Sequence, residues 1–173
     1  MSDSLATTPT IVAADPWRRL MGATYECVLL FGVIWFADYT FSAVTRFQGE
    51  PGLLRHAFQA FTTLVLAVYF VGFWAHGRRT LPMKTVGLQL LDANDRPLST
   101  ARALGRFAAA LGSIVLVLGL GHELHPLLYL AIFLPYAWCF FDADRRALYD
   151  VVAGTRLVHL PVAPAPRRKP LRQ

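Results

Sequence analysis

From Ala57 to Ala75 the chain carries no acidic or basic side chain. A stretch of that length matches the roughly 20 apolar residues that one helix needs to cross a bilayer. Three further stretches approach this length, and together they exclude an ordinary soluble fold. The first runs from about residue 18 to 44 and holds Glu26 and Asp38. The others cover about 101–121, with Arg106 near its start, and 124–142, with Pro135 inside it. They are joined by Gly121-His122-Glu123-Leu124-His125-Pro126, which reads as a turn. Only 16% of the residues are charged, against about 25% in a soluble domain.

These spans predict an all-α membrane protein, a bundle of four transmembrane helices with both termini on one side. The first run starts after Arg18 and Arg19 and is too long for a signal-peptide core, so it is expected to stay as a helix. The Lys and Arg distribution sets the orientation. Fifteen lie before the first span, between spans two and three, or after span four; Arg46 and Arg55 alone lie on the other side. Cytoplasmic loops are the basic ones, so a multi-pass membrane protein with N and C termini cytoplasmic is expected. Trp17, Tyr39, Trp74, Tyr129 and Trp138 fall in or near the span ends, where amphipathic rings favour the interface.

The segment between spans two and three has its own structure. Val86, Leu88 and Leu90 alternate with Gly87 and Gln89 as in a strand. Asp92-Ala93-Asn94-Asp95 reads as a turn, and Ser99 or Thr100 as a helix cap. After span four, Asp144–Val152 predicts a short amphipathic helix ended by Gly154, and Thr155–Leu160 a second strand. The two strands, 86–91 and 155–160, are expected to pair as a small β-hairpin-like layer on the cytoplasmic side. Residues 1–13 are expected to be disordered. The basic, Pro-rich tail 161–173 is expected to be disordered as well, and close to anionic headgroups.

Chemistry-bearing residues are few. Glu26 is the most informative, because a carboxylate inside an apolar helix costs a few kcal/mol near the bilayer centre. Arg19 lies seven residues earlier, on nearly the same helical face and about 10 Å away along the axis. Arg102 and Arg106 are alternative partners at the same depth. Glu26 is thus part of a salt-bridge network, a proton- or ion-handling site, or an interfacial carboxylate. Asp38, about 18 Å further along, reads as a solvated span end. Gly105, Gly112 and Gly119 recur every seven residues and predict a close helix-packing face. His122-Glu123-Leu124-His125 lacks the zinc-protease spacing, so no metal is expected. Cys27 and Cys139 read as small apolar residues, not a disulfide. No phosphate loop, nucleophile elbow or Cys–His pair exists, so neither catalytic residues nor a cofactor is expected, and the protein is not expected to be an enzyme. Basic residues that flank apolar runs point to lipid, not nucleic acid.

Four blocks then resemble the RDD family of bacterial membrane proteins, named for an arginine and two aspartates. Trp17-Arg18-Arg19-Leu20-Met21 through Tyr25-Glu26 is similar to the first-helix signature, with Arg19 at the arginine and Glu26 replacing the first aspartate. Gly77-Arg78-Arg79-Thr80-Leu81-Pro82-Met83-Lys84 resembles a Gly-x-Thr-Leu-x-Met-Lys block. Arg96-Pro97-Leu98-Ser99 and Arg102 to Arg106 resemble the entry to the next helix. Asp144-Arg145-Arg146 through Leu148-Tyr149-Asp150 to Ala153-Gly154-Thr155 resembles the closing motif, with Asp150 at the second aspartate and Tyr149 where histidine is commoner. The resemblance covers about residues 14–160. It implies a membrane domain and a charged cluster of Arg19, Glu26, Arg106 and Asp150 at the cytoplasmic end, with Arg18, Arg102 and Lys84 as further partners. It also implies transport of an unidentified ligand or cation/proton exchange involving Glu26. The alternative is a non-catalytic structural or assembly partner of another membrane complex. A four-span transporter would need a homo-oligomer or a membrane protein partner.

Overall fold

A computed structural model describes residues 12–160. The chain runs as strand β1 (Val12–Ala13), helices α1 (Pro16–Thr45), α2 (Leu53–Trp74) and α3 (Leu81–Thr85), strand β2 (Leu88–Asp92) and helix α4 (Thr100–Glu123). Then follow a 3-10 segment (Pro126–Phe133), α5 (Leu134–Ala137), a second 3-10 turn (Trp138–Phe140), α6 (Leu148–Val152) and strand β3 (Thr155–His159).

Local chemistry sets the ends of these elements. Asp15 caps α1, its carboxylate accepting from Trp17 N at 3.2 Å, and Pro16 fits the first helical position. Ser99 caps α4 through Arg102 N at 3.4 Å. Thr80 caps α3 through Met83 N at 3.2 Å. Asp92 makes the predicted turn by accepting from Asn94 N and Arg96 N, both at 2.8 Å. Gly154 (φ +60) follows α6 at the left-handed position that stops it.

Three helices, α1, α2 and α4, are long and apolar enough to cross a membrane. The fourth expected helix, over 124–142, is not continuous: 3-10 turns flank the four residues of α5. Pro126 and Pro135 explain the break, since each lacks the N–H that an α ladder needs. This segment packs back on α4, where the Tyr129 ring lies so close to Gly121 that a Cβ there would sit 2.5 Å from it. Tyr136 Oη donates to Pro16 O at 2.7 Å, tying the segment to the start of α1. The short amphipathic helix is also briefer than the expected 144–152. Asp142 accepts from Asp144 N and Arg146 N, which holds that stretch in a turn until Leu148.

β2 and β3 pair antiparallel, Leu88 opposite His159 and Asp92 opposite Thr155, so the two predicted strands do meet. They do not form a hairpin, because α4 and everything up to α6 lies between them. Val12 and Ala13, expected to be disordered, instead pair with His159 and Val158 and give the strand order β1-β3-β2. Ala14 N then donates to Leu157 O at 3.0 Å, which satisfies the backbone entering α1. The expected disorder of residues 1–11 and 161–173 lies outside the described residues.

The buried core sits at the sheet end of the bundle. Leu88, Leu90 and Leu157 from the sheet pack with Trp74 at the end of α2 and with Ala103 and Phe107 near the start of α4. Gly22 lets α1 approach β2, since a Cβ there would lie 3.1 Å from Leu88 Cδ1. Away from this end the helices turn large apolar side chains outward, among them Val28, Phe31, Phe36, Val68, Val115 and Leu116. Water would oppose that much open apolar surface, while lipid tails accept it.

Candidate functional site

Two carboxylates occupy contrasting settings. The first, Asp150, is fully buried at the third position of α6. Arg19 Nη1 donates to its Oδ2 at 2.9 Å and Arg106 Nε to its Oδ1 at 2.7 Å. Ala147 N and Thr155 Oγ1 complete the shell at 3.3 and 3.4 Å. Burial pushes the Asp150 carboxyl up, but Arg106 and Arg19 more than reverse this and hold it below the usual carboxylate range. Arg19 also donates from Nε to Ala14 O and from Nη2 to Leu157 O. One carboxylate therefore joins the starts of α1 and α4, helix α6 and the sheet. The Arg106 guanidinium packs on two aromatic rings, with Cζ 4.1 Å from the Trp74 centroid and 4.9 Å from that of Tyr149.

The second carboxylate is Glu26. It does not join the cluster expected of it, and neither Arg19, Arg102 nor Arg106 bonds it. Asp150 already engages Arg19 and Arg106, while Arg102 Nη1 pairs with Asp92 at 2.6 Å. Glu26 is part-buried between helices. Tyr69 Oη of α2 donates to its Oε1 at 2.5 Å, and Thr80 Oγ1, just before α3, donates to its Oε2 at 2.8 Å. Asp38 repeats the pattern on the same seam, accepting from Thr62 Oγ1 of α2 at 2.7 Å. It is not merely a solvated span end. Arg18 and Lys84 are exposed and pair with neither carboxylate.

Sequence reasoning missed Tyr69, Thr80, Trp74 and Tyr149. The signal was present for Thr80, which lies inside the quoted Gly77–Lys84 block. Tyr69 is the one tyrosine of α2 and brings a hydroxyl into the apolar run that follows Thr63. Gly105, Gly112 and Gly119 meet nothing within 4 Å, so no described residue packs on that stripe. Among the described residues no group of His, Cys, Asp and Glu has metal-site geometry.

Comparison with curated proteins and with solved structures returned no match. The family model described as "RDD family" matches residues 13–154, which takes in Arg19, Glu26, Arg106 and Asp150. With most of its length so matched, the chain belongs to the RDD family, a family of membrane proteins.

Proposed function

We propose that this protein crosses the inner membrane four times with both ends cytoplasmic, and that it exchanges a proton for a small cation at Glu26. Sheet geometry supports the topology. β1 precedes α1, β2 follows α2 and β3 follows the last apolar stretch, yet all three share one sheet. A sheet lies in one compartment, so an even number of crossings separates any two of its strands. After α4 leaves the sheet side, Pro126–Phe140 is the apolar stretch left for the return. At about 2.0 Å per 3-10 residue and 1.5 Å per α residue it rises roughly 28 Å, close to the roughly 30 Å hydrocarbon core. The fifteen-to-two Lys/Arg split assigns the sheet side to the cytoplasm.

One observation carries the exchange reading: among the described residues, Glu26 is held by two hydroxyls and by no basic side chain. A guanidinium would neutralise it permanently, as at Asp150. Hydroxyl donors leave its charge to be balanced by a proton or by a hard cation, for which carboxylate and hydroxyl oxygens are suitable ligands. Asp38 offers a second oxygen site along the α1–α2 seam. Four crossings are few for an alternating-access machine, so the working unit is an oligomer, and no chemical turnover is involved.

The test is cation-driven proton flux in proteoliposomes. Wild-type protein should carry flux, Glu26→Gln should abolish it, and Asp38→Asn should reduce it. Wild-type liposomes no more permeable than empty ones would sink the exchanger. The assembly-partner reading would then stand, supported by β1, which forms an edge of the sheet among the described residues.

A further inference from the structure

The Asp150 cluster holds two guanidinium groups and one carboxylate, so it carries a surplus positive charge. Arg19 does not leave that surplus open: Nε, Nη1 and Nη2 all donate to protein oxygens. Arg106 does. It is 6% exposed, and among the described residues it donates from Nε alone, to Asp150. Arg156 Nε is the one fully enclosed side-chain nitrogen without a partner there. Nη1 and Nη2 of Arg106 are therefore unpartnered but reachable. A guanidinium is rigid and planar. Asp150 engages its Nε edge, and the Trp74 and Tyr149 ring centroids lie 4.1 and 4.9 Å from Cζ, so the Nη1/Nη2 edge is the part left without a protein partner among the described residues.

That edge lies less than two turns into α4, beside the last residue of α2, at the end of the bundle that carries the sheet. In the four-crossing topology proposed above, this is the end that meets the headgroup phosphates. A fixed pair of parallel N–H donors matches two oxygens of one phosphate group. We propose that the Nη1/Nη2 edge of Arg106 is a phosphate site, which takes the phosphate of an anionic lipid headgroup or free phosphate with two hydrogen bonds. The site is independent of Glu26 and of whether the protein carries flux.

The full-length protein in neutral detergent tests this by its melting temperature. Phosphatidylglycerol, phosphatidylcholine or inorganic phosphate is added, at low salt and at about 0.5 M NaCl, where surface charges more than a few ångströms apart are screened. The expected result is a rise of about 5 °C with phosphatidylglycerol near 100 times its dissociation constant, absent with phosphatidylcholine and largely kept in salt. An equal rise with inorganic phosphate assigns the site to the free anion; a rise with phosphatidylglycerol alone assigns it to lipid. Arg106→Lys keeps the charge but not the fork, and should lose more than half of the rise. Arg18→Gln, an exposed arginine elsewhere, should keep it. Indistinguishable responses to all three additives, an undiminished rise in Arg106→Lys, or a rise erased by salt would each overturn the proposal. The additive and salt arms use wild-type protein, so they decide the matter even if Arg106→Lys does not fold.

Discussion

Asp150 and Glu26 are both carboxylates removed from bulk water, and they are held in opposite ways. Asp150 has two guanidinium groups, a backbone N–H and a hydroxyl; Glu26 has two hydroxyls. Two guanidinium partners turn the first into a structural knot across α1, α4, α6 and β3. The second has no such partner among the described residues, which is the feature the proposed exchange rests on. Two acidic positions of one family motif are thus held differently, and the difference lies in their donors, not in the acids.

The largest expected effect comes from breaking the knot. Asp150→Asn leaves Arg19 and Arg106 without a counter-charge and should cost about 3 to 5 kcal/mol, read as a large fall in melting temperature in detergent. The same residue gives a pH signature. Its carboxyl is held below the usual range in the folded protein, so its stabilisation is present above the unfolded value of about 3.9. It is lost as pH falls through the lower folded value. Melting curves should keep this contribution at pH 5 to 7 and lose it below about pH 4, and Asp150→Asn should flatten that loss.

Glu26 should separate stability from function. Glu26→Gln retains an acceptor for at least one hydroxyl, so its stability cost should be about 1 kcal/mol while flux disappears. A cost as large as that of Asp150→Asn would erase the distinction between the two sites. Glu26→Asp should retain flux, since it keeps the carboxylate and restores the family's residue. A smaller effect is expected of Tyr69→Phe, which removes one donor: under about 1.5 kcal/mol of stability, with flux altered but not abolished. The smallest is Arg102→Gln, whose partner Asp92 keeps its backbone donors from Asn94 and Arg96; its melting temperature should fall by less than in any variant above.

What could be read in advance follows the range of the interactions. Three spans, the Ser99 cap, the Asp92 turn and the strand character of β2 and β3 rest on local pattern, each legible within its own segment; the pairing of β2 with β3 followed from placing both on one side of the membrane. The broken fourth stretch was partly legible, since Pro135 was visible, but length and apolarity outweighed it. Glu26 was misassigned because helical periodicity ranks partners on its own helix and by depth. It cannot tell that Asp150, far along the chain, already holds both arginines. Val12–Ala13 shows no strand signal by itself, because two residues become a strand only when β3 offers an edge.

The sheet also orders events in time. β3 is synthesised after α1, α2 and α4, and with it comes Asp150, the counter-charge for Arg19 and Arg106. Until the ribosome has delivered that last segment, β1 has no strand to pair with and two arginines stand uncompensated at the mouth of the bundle. A chain halted before Asp150 therefore lacks the carboxylate that ties the starts of α1 and α4 together, and its three long helices have no common anchor at that end.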